Sequence, residues 1–164
     1  MFQKLFNSRS SQLKLVAPTD GNLIKLADVP DPVFSEKMMG DGVAIKPSNG
    51  ILVSPVDAKV IQVFPTKHAI GLKSVNNIEI LIHIGLETVS LKGEGFKVFV
   101  KEGDNVQLGE KLISFDVDLI KEKAASAITP IIITNTADMQ RISQMESRFV
   151  SAGKDEILSI EKQG

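Results

Sequence analysis

Two histidines, His68 and His83, are the only imidazoles in the chain. At neutral pH an imidazole can offer a lone pair, move a proton or ligate a metal without a large shift of its pKa. The segment Ile78-Glu79-Ile80-Leu81-Ile82-His83-Ile84 alternates as a strand does, with Ile78, Ile80, Ile82 and Ile84 on one face and Glu79, Leu81 and His83 on the other. Gly85 follows at once and lets the backbone turn or approach a neighbour closely. His83 therefore reads as an imidazole presented at a strand end. Around the other histidine, a continuous strand over Thr66–Leu72 puts Thr66, His68, Ile70 and Leu72 on one face, with a hydroxyl beside an imidazole.

Three readings are open to this pair. A nucleophilic imidazole needs a neutral ring, a fixed tautomer and a donor that stabilises charge on an incoming phosphoryl group, and His83, His68 and Thr66 supply those parts if folding joins the two strands. Two imidazoles with a carboxylate such as Asp31 or Glu87 make a tetrahedral zinc site with an open position, as in a zinc hydrolase. Neither H-x-x-x-H spacing nor a cysteine pair is there to support it. The third reading gives the histidines no chemistry and leaves them as decoration of a sandwich.

The elements that must position these residues are short. From Leu13 onward, β-type runs alternate with Gly, Pro, Asn and Asp, the spacing of a sandwich or barrel. Asp31-Pro32 has the cap-then-proline order that opens a helical turn, here over Phe34–Met39 with Gly40 at its end. Residues 118–127, opened by Asp118, form a second helical candidate, and Thr136 to about Met145 a third. Ala17-Pro18-Thr19-Asp20, followed by a strand to Leu26, reappears as Ser54-Pro55-Val56-Asp57 with a strand to Val63, which suggests an internal duplication. The turn-rich stretch Val100–Phe115 resembles the second half of biotinyl and lipoyl carrier domains. The Met-Lys-Met or Asp-Lys-Ala hairpin that bears their cofactor is missing.

A chain of 164 residues is expected to bury roughly 70% of its unfolded surface in one domain. The domain is expected over 13–164, preceded by a flexible tail, 1–12, in which Phe2, Leu5 and Phe6 share one helical face and offer a weak membrane foot. A formal net charge of −1 excludes the basic field that nucleic acid requires. With no cysteine, disulfides, thiolate metal sites and cysteine nucleophiles are excluded, in keeping with a reducing compartment. No run approaches the about 18 apolar residues of a membrane span, and the N-terminus lacks a secretory apolar region. The expected location is the cytoplasm, and no coiled-coil or exposed-strand signal argues for more than a monomer.

The segment His83-Ile-Gly-Leu-Glu-Thr-Val-Ser-Leu-Lys-Gly-Glu-Gly-Phe96 closely resembles the phosphohistidine signature of the glucose-family IIA components of the bacterial sugar phosphotransferase system. Val29–Phe34, Met39–Pro47, Ser54–Asp57, Thr66–Ala69 and Thr129–Asn135 resemble the same family in the same order. The resemblance implies an antiparallel β-sandwich of duplicated hybrid-motif type with a few short helical turns. It implies that His83 is the phosphorylated residue, His68 the second active-site histidine, Thr66 the hydroxyl that holds the pair, and Gly85 a backbone group that orients the reactive ring. Asp31 and Glu87 match acidic rim residues, although the family often has aspartate at the latter position. Val33, Phe34, Met38, Met39, Phe64 and Leu81 match the apolar surround on which partners dock. The partners implied are phosphorylated HPr as donor and the IIB domain of a sugar permease as acceptor. Some members also regulate permeases, glycerol kinase or adenylate cyclase through the same face. No cofactor is required, and zinc at His68 and His83 is expected only when a partner adds a ligand.

Overall fold

In the computed structural model, which describes residues 10–163, the turn-punctuated sequence becomes fourteen strands and two short helices. Strands β1 (Ser10–Val16), β2 (Gly21–Lys25) and β3 (Asp41–Pro47) open the chain. Then come β4 (Ile51–Val53), β5 (Ala58–Val63), β6 (Ala69–Ser74), β7 (Glu79–His83), β8 (Phe96–Val98), β9 (Asn105–Val106) and β10 (Lys111–Phe115). The last four are β11 (Thr129–Ile133), β12 (Met139–Gln144), β13 (Phe149–Val150) and β14 (Glu156–Gln163). Helix α1 (Pro32–Ser35) lies between β2 and β3, and α2 (Val117–Lys123) between β10 and β11.

Strand order explains the repeat. An eight-stranded sheet runs β13-β2-β3-β11-β7-β6-β5-β9, and two three-stranded sheets run β1-β14-β12 and β4-β10-β8. Each strand has a counterpart across the β11–β7 junction, and β4 to β10 form one seven-strand unit inserted between β3 and β11 of the other. The two units close in the same way. Ala17 N donates to Asp155 O and Gly153 N to Ala17 O, each at 2.8 Å, while Ser54 N donates to Glu110 O and Gly109 N to Ser54 O at the same distance. The repeated aspartates do equal work: Asp20 accepts from Ala152 N at 2.7 Å and Asp57 from Leu108 N at 2.8 Å. The sandwich is therefore antiparallel and duplicated, with one copy interrupting the other.

The main core fills the space between the sheets, where Val43, Ile45, Ile70, Leu72, Ile80 and Ile82 of the large sheet meet Leu15, Leu52, Leu112 and Leu158 of the small ones. The isoleucine row of β7 points there. Leu81 points the other way, into a smaller cluster on the outer face with Leu26, Phe34, Ala44, Ala69, Leu86 and Ile132.

Several local expectations change. Helix α1 covers Pro32–Ser35 only, because Lys37 adopts a left-handed φ of 57° and turns Met38 and Met39 out of helical register. Helix α2 is capped by Asp116, whose Oδ1 accepts from Leu119 N at 3.0 Å; Asp118 lies in its first turn. The third helix is not formed: a single 3-10 turn at Thr136–Asp138 leads into strand β12. Met139, Ile142 and Met145 recur every third residue like a helix face, but a bulge at Met139/Arg141 puts Met139 and Ile142 on the core side of a strand, and Met145 packs against the core just past its end. Ser10–Gln12, read as tail, belong to β1 and pair with β14. The apolar foot at Phe2, Leu5 and Phe6 lies outside the described residues. Among the described residues no helix is long and apolar enough to cross a membrane.

Thr19 tests the duplication. Its hydroxyl is fully buried with no hydrogen-bond partner among the described residues, and its counterpart in the second unit is Val56. Thr19→Val should raise stability by about 1 kcal/mol, since it removes an unpaired polar group at constant shape. Equilibrium denaturation checks this, and a less stable variant would show that the hydroxyl is bonded.

Candidate functional site

Gly85 has a φ of +79°, and a Cβ there would lie 2.5 Å from Thr88 Cγ2 and 2.8 Å from the Ser126 carbonyl, so only glycine fits. That backbone turn points the Gly85 carbonyl back at His83, whose Nδ1 lies 2.8 Å from it. A carbonyl only accepts, so Nδ1 carries the proton and Nε2 of the neutral ring keeps its lone pair.

His68 arrives by a tight turn and not along the continuous strand that alternation suggests. Lys67, at φ 63°, donates its N–H to Phe64 O at 2.8 Å, and β6 begins only at Ala69, opposite His83. Pro65 explains the break, since it has no N–H to extend a ladder. The proposed hydroxyl–imidazole pair forms within the turn, with Thr66 Oγ1 2.6 Å from His68 Nδ1. The backbone then locks the two histidines together, because Ile84 N donates to His68 O at 2.7 Å.

Four rings stand in a row. The His68 and His83 centroids are 4.7 Å apart with planes at 79°. Phe34 packs on His83 at 5.1 Å, and Phe64 on His68 at 5.7 Å. Burial, and after it the repulsion of a charge on His83, lower the His68 pKa to about 4. Burial lowers His83 as well, opposed by the bond to Gly85 and by the Asp31 carboxylate. Both rings are therefore neutral at pH 7.

The apolar surround divides by depth. Phe34 and Leu81 are only 3% and 6% exposed and form the floor. Phe64 is partly buried, while Val33, Met38 and Met39, in and just after helix α1, are exposed. Asp31 is fixed by capping α1 through Val33 N at 3.0 Å. Glu87 is exposed at a left-handed φ of 59°, a conformation that suits a shorter polar residue better. Val89 is exposed in the 3-10 turn Thr88–Leu91, two residues from Glu87. Among the described residues no three His, Cys, Asp or Glu side chains are grouped to hold a metal ion.

The family described as the phosphoenolpyruvate-dependent sugar phosphotransferase system, EIIA 1, matches residues 13–139. The chain is 53% identical over 163 residues to the PTS system glucose-specific EIIA component of Oceanobacillus iheyensis, covering 98% of this chain and 99% of that one. It is 51% identical over 162 residues to the component of the same name in Bacillus cereus, covering 98% of each. Glucose permease IIA from Mycoplasma capricolum shares 41% identity with a TM-score of 0.85, covering 91% of this chain and 96% of that chain. The chain belongs to this EIIA family.

An EIIA component is a phosphocarrier in sugar uptake, and the two neutral rings must suit that task. Nitrogen-15 NMR of the imidazoles should show His83 with its proton on Nδ1, titrating below 6.5, and His68 titrating near 4. The sign for stability follows. Keeping His68 neutral costs nothing above its unfolded pKa of about 6.5, and the stability is lost as pH falls from there towards about 4. Between those limits the wild type should lose on the order of 2–3 kcal/mol more than His68→Gln. Equal losses in urea denaturation would contradict the lowered pKa.

Proposed function

We propose that this EIIA component carries the phosphoryl group on His83 Nε2, taking it from phosphorylated HPr and giving it to the IIB domain of a glucose-type sugar permease. The observation that supports this most is the His83 Nδ1 bond to Gly85 O, which leaves a neutral, unprotonated Nε2. Its lone pair forms the new N–P bond while the bond from phosphorus to the donor nitrogen of HPr breaks and leaves with its electron pair. No proton has to move. His83 keeps its Nδ1 proton on Gly85 O, the ring becomes cationic, and Asp31, whose charge already favours the protonated ring, stabilises it. Transfer to IIB reverses these changes.

His68 is assigned to the phosphoryl oxygens. With Thr66 O–H donating to Nδ1, His68 holds its proton on Nε2 and can donate it as a hydrogen bond, the positioned electrostatics on which such transfers depend. The rim of Val33, Met38 and Met39 would exclude water beneath a partner, and Asp31 and Glu87 would attract a basic surface. Glucose specificity is inferred from the relatives' names. The chain is proposed to act as a cytoplasmic monomer. Zinc enters this reading only with a partner's ligand, since two imidazole nitrogens are too few for a closed site; metal content of the isolated chain after chelator dialysis tests that, and stoichiometric zinc would favour the hydrolase reading.

Incubation with phosphoenolpyruvate, enzyme I and HPr should add one acid-labile phosphoryl group to the chain, and His83→Gln should abolish it. His68→Gln should still accept the group while passing it to IIB on the order of 10²-fold more slowly. Rapid-quench measurement of both half-reactions decides: full labelling of His83→Gln removes the nucleophile, and near-wild-type rates for His68→Gln reduce that histidine to a structural residue.

A further inference from the structure

Three consecutive peptide groups lead away from His83, and each is held by a different partner. The Ile84 N–H donates to the His68 carbonyl at 2.7 Å. The Ile84 carbonyl accepts from the Thr88 hydroxyl at 2.6 Å. The third peptide joins Gly85 to Leu86: its carbonyl accepts from His83 Nδ1, and its N–H donates to the Ser126 carbonyl at 2.8 Å. The first tether and the Ser126 tether are made by backbone alone. Thr88 holds the middle peptide with its side chain, and it is fully buried.

Thr88 touches this turn twice. Its hydroxyl holds the carbonyl of Ile84, and its methyl lies against Gly85, 2.5 Å from where a Cβ would stand. Glycine is the residue least able to hold its own dihedrals, because it lacks the Cβ that confines the others. A φ of +79° at Gly85 must therefore be imposed from outside. The Gly85 carbonyl belongs to the Gly85–Leu86 peptide, whose far side Ser126 holds, and the dihedrals of Gly85 that aim it are set against the Ile84–Gly85 peptide that Thr88 holds. A free histidine side chain in water favours the proton on Nε2. The fold must overturn that preference.

We infer that Thr88 is a positioning residue for phosphoryl transfer, acting through the Ile84–Gly85 peptide to aim the Gly85 carbonyl at His83 Nδ1 and keep Nε2 unprotonated. The inference rests on the reading of His83 as the carrier. Two substitutions separate the contacts: Thr88→Val keeps the shape but leaves the buried Ile84 carbonyl without its hydroxyl partner, and Thr88→Ser keeps the hydroxyl but drops the methyl.

The test uses the full chain labelled with nitrogen-15 in its imidazoles, and pairs the tautomer ratio of His83 with its rate of phosphorylation by phosphorylated HPr. Thr88→Val should shift His83 toward the Nε2–H tautomer and slow phosphorylation by about tenfold or more, whereas Thr88→Ser should stay near the wild type in both. If Thr88→Val does not fold, Thr88→Ala, smaller and also lacking the hydroxyl, carries the same expectation. A folded hydroxyl-less variant with the wild-type tautomer ratio overturns the inference whatever its stability, because a merely structural role would change stability without moving the proton. Wild-type protein that is not labelled on His83 would instead remove the reading of His83 as carrier, so the two failures are distinguishable.

Discussion

The hydrogen bond from His83 Nδ1 to the Gly85 carbonyl, 2.8 Å long, decides which ring nitrogen is left to react. If the carbonyl turned away, the proton could sit on either nitrogen and the Nε2 lone pair would be present only part of the time. Much of the surrounding structure bears on that bond. Gly85 takes a left-handed turn that its neighbours leave no room to widen, and Ser126 holds the next amide from behind. Phe34 packs on the ring and limits its rotation. Burial keeps both imidazoles neutral, so that the lone pair is present at pH 7 and the second ring can donate.

The duplicated fold builds this arrangement once. Gly21 corresponds to Ala58, and following the ladders across each half of the large sheet makes Asp41 the counterpart of His68 and Ile132 that of His83. Ile132 is fully buried and forms part of the floor under the site, while Asp41 binds Gly42 N and Lys37. The connections differ as well. Between β2 and β3 the chain inserts α1, which brings Asp31 and Phe34 over the centre of the sheet, whereas between β5 and β6 it makes only the tight turn that carries Thr66 and His68. One unit thus supplies both histidines, Phe64 and Glu87, and the other supplies Phe34 over His83 and the carboxylate of Asp31.

Sequence made some of this legible and hid the rest for physical reasons. The alternation of Ile78–Ile84 gave both faces of β7, because a strand with a core on one side must alternate. Pro-x-Asp recurs because each aspartate closes the same turn in its own unit, but the nesting of the units leaves no trace in a linear repeat. Alternation failed at Thr66–His68, where a left-handed lysine puts hydroxyl and imidazole together by a turn. The helix expected from Thr136 to about Met145 failed for another reason, since a bulge at Met139/Arg141 lets a strand imitate helical spacing between Met139 and Ile142. The resemblance to a known family supplied the proposed roles of the histidines; periodicity alone left three readings open. Ser126 belongs to no local pattern, since its carbonyl reaches Leu86 N only through folding, and Thr88, four residues from Ile84, shows its hydroxyl's partner only once the backbone turn is formed.

Phosphoryl transfer through His83 turns on the identity of one atom. Protein labelled with nitrogen-15 in its imidazoles, phosphorylated through HPr and observed for one-bond coupling between nitrogen and phosphorus, reads that atom directly. The account requires coupling at Nε2 of His83, with Nδ1 of the same ring still bearing its proton. Coupling at Nδ1 of His83, or at either nitrogen of His68, would contradict it.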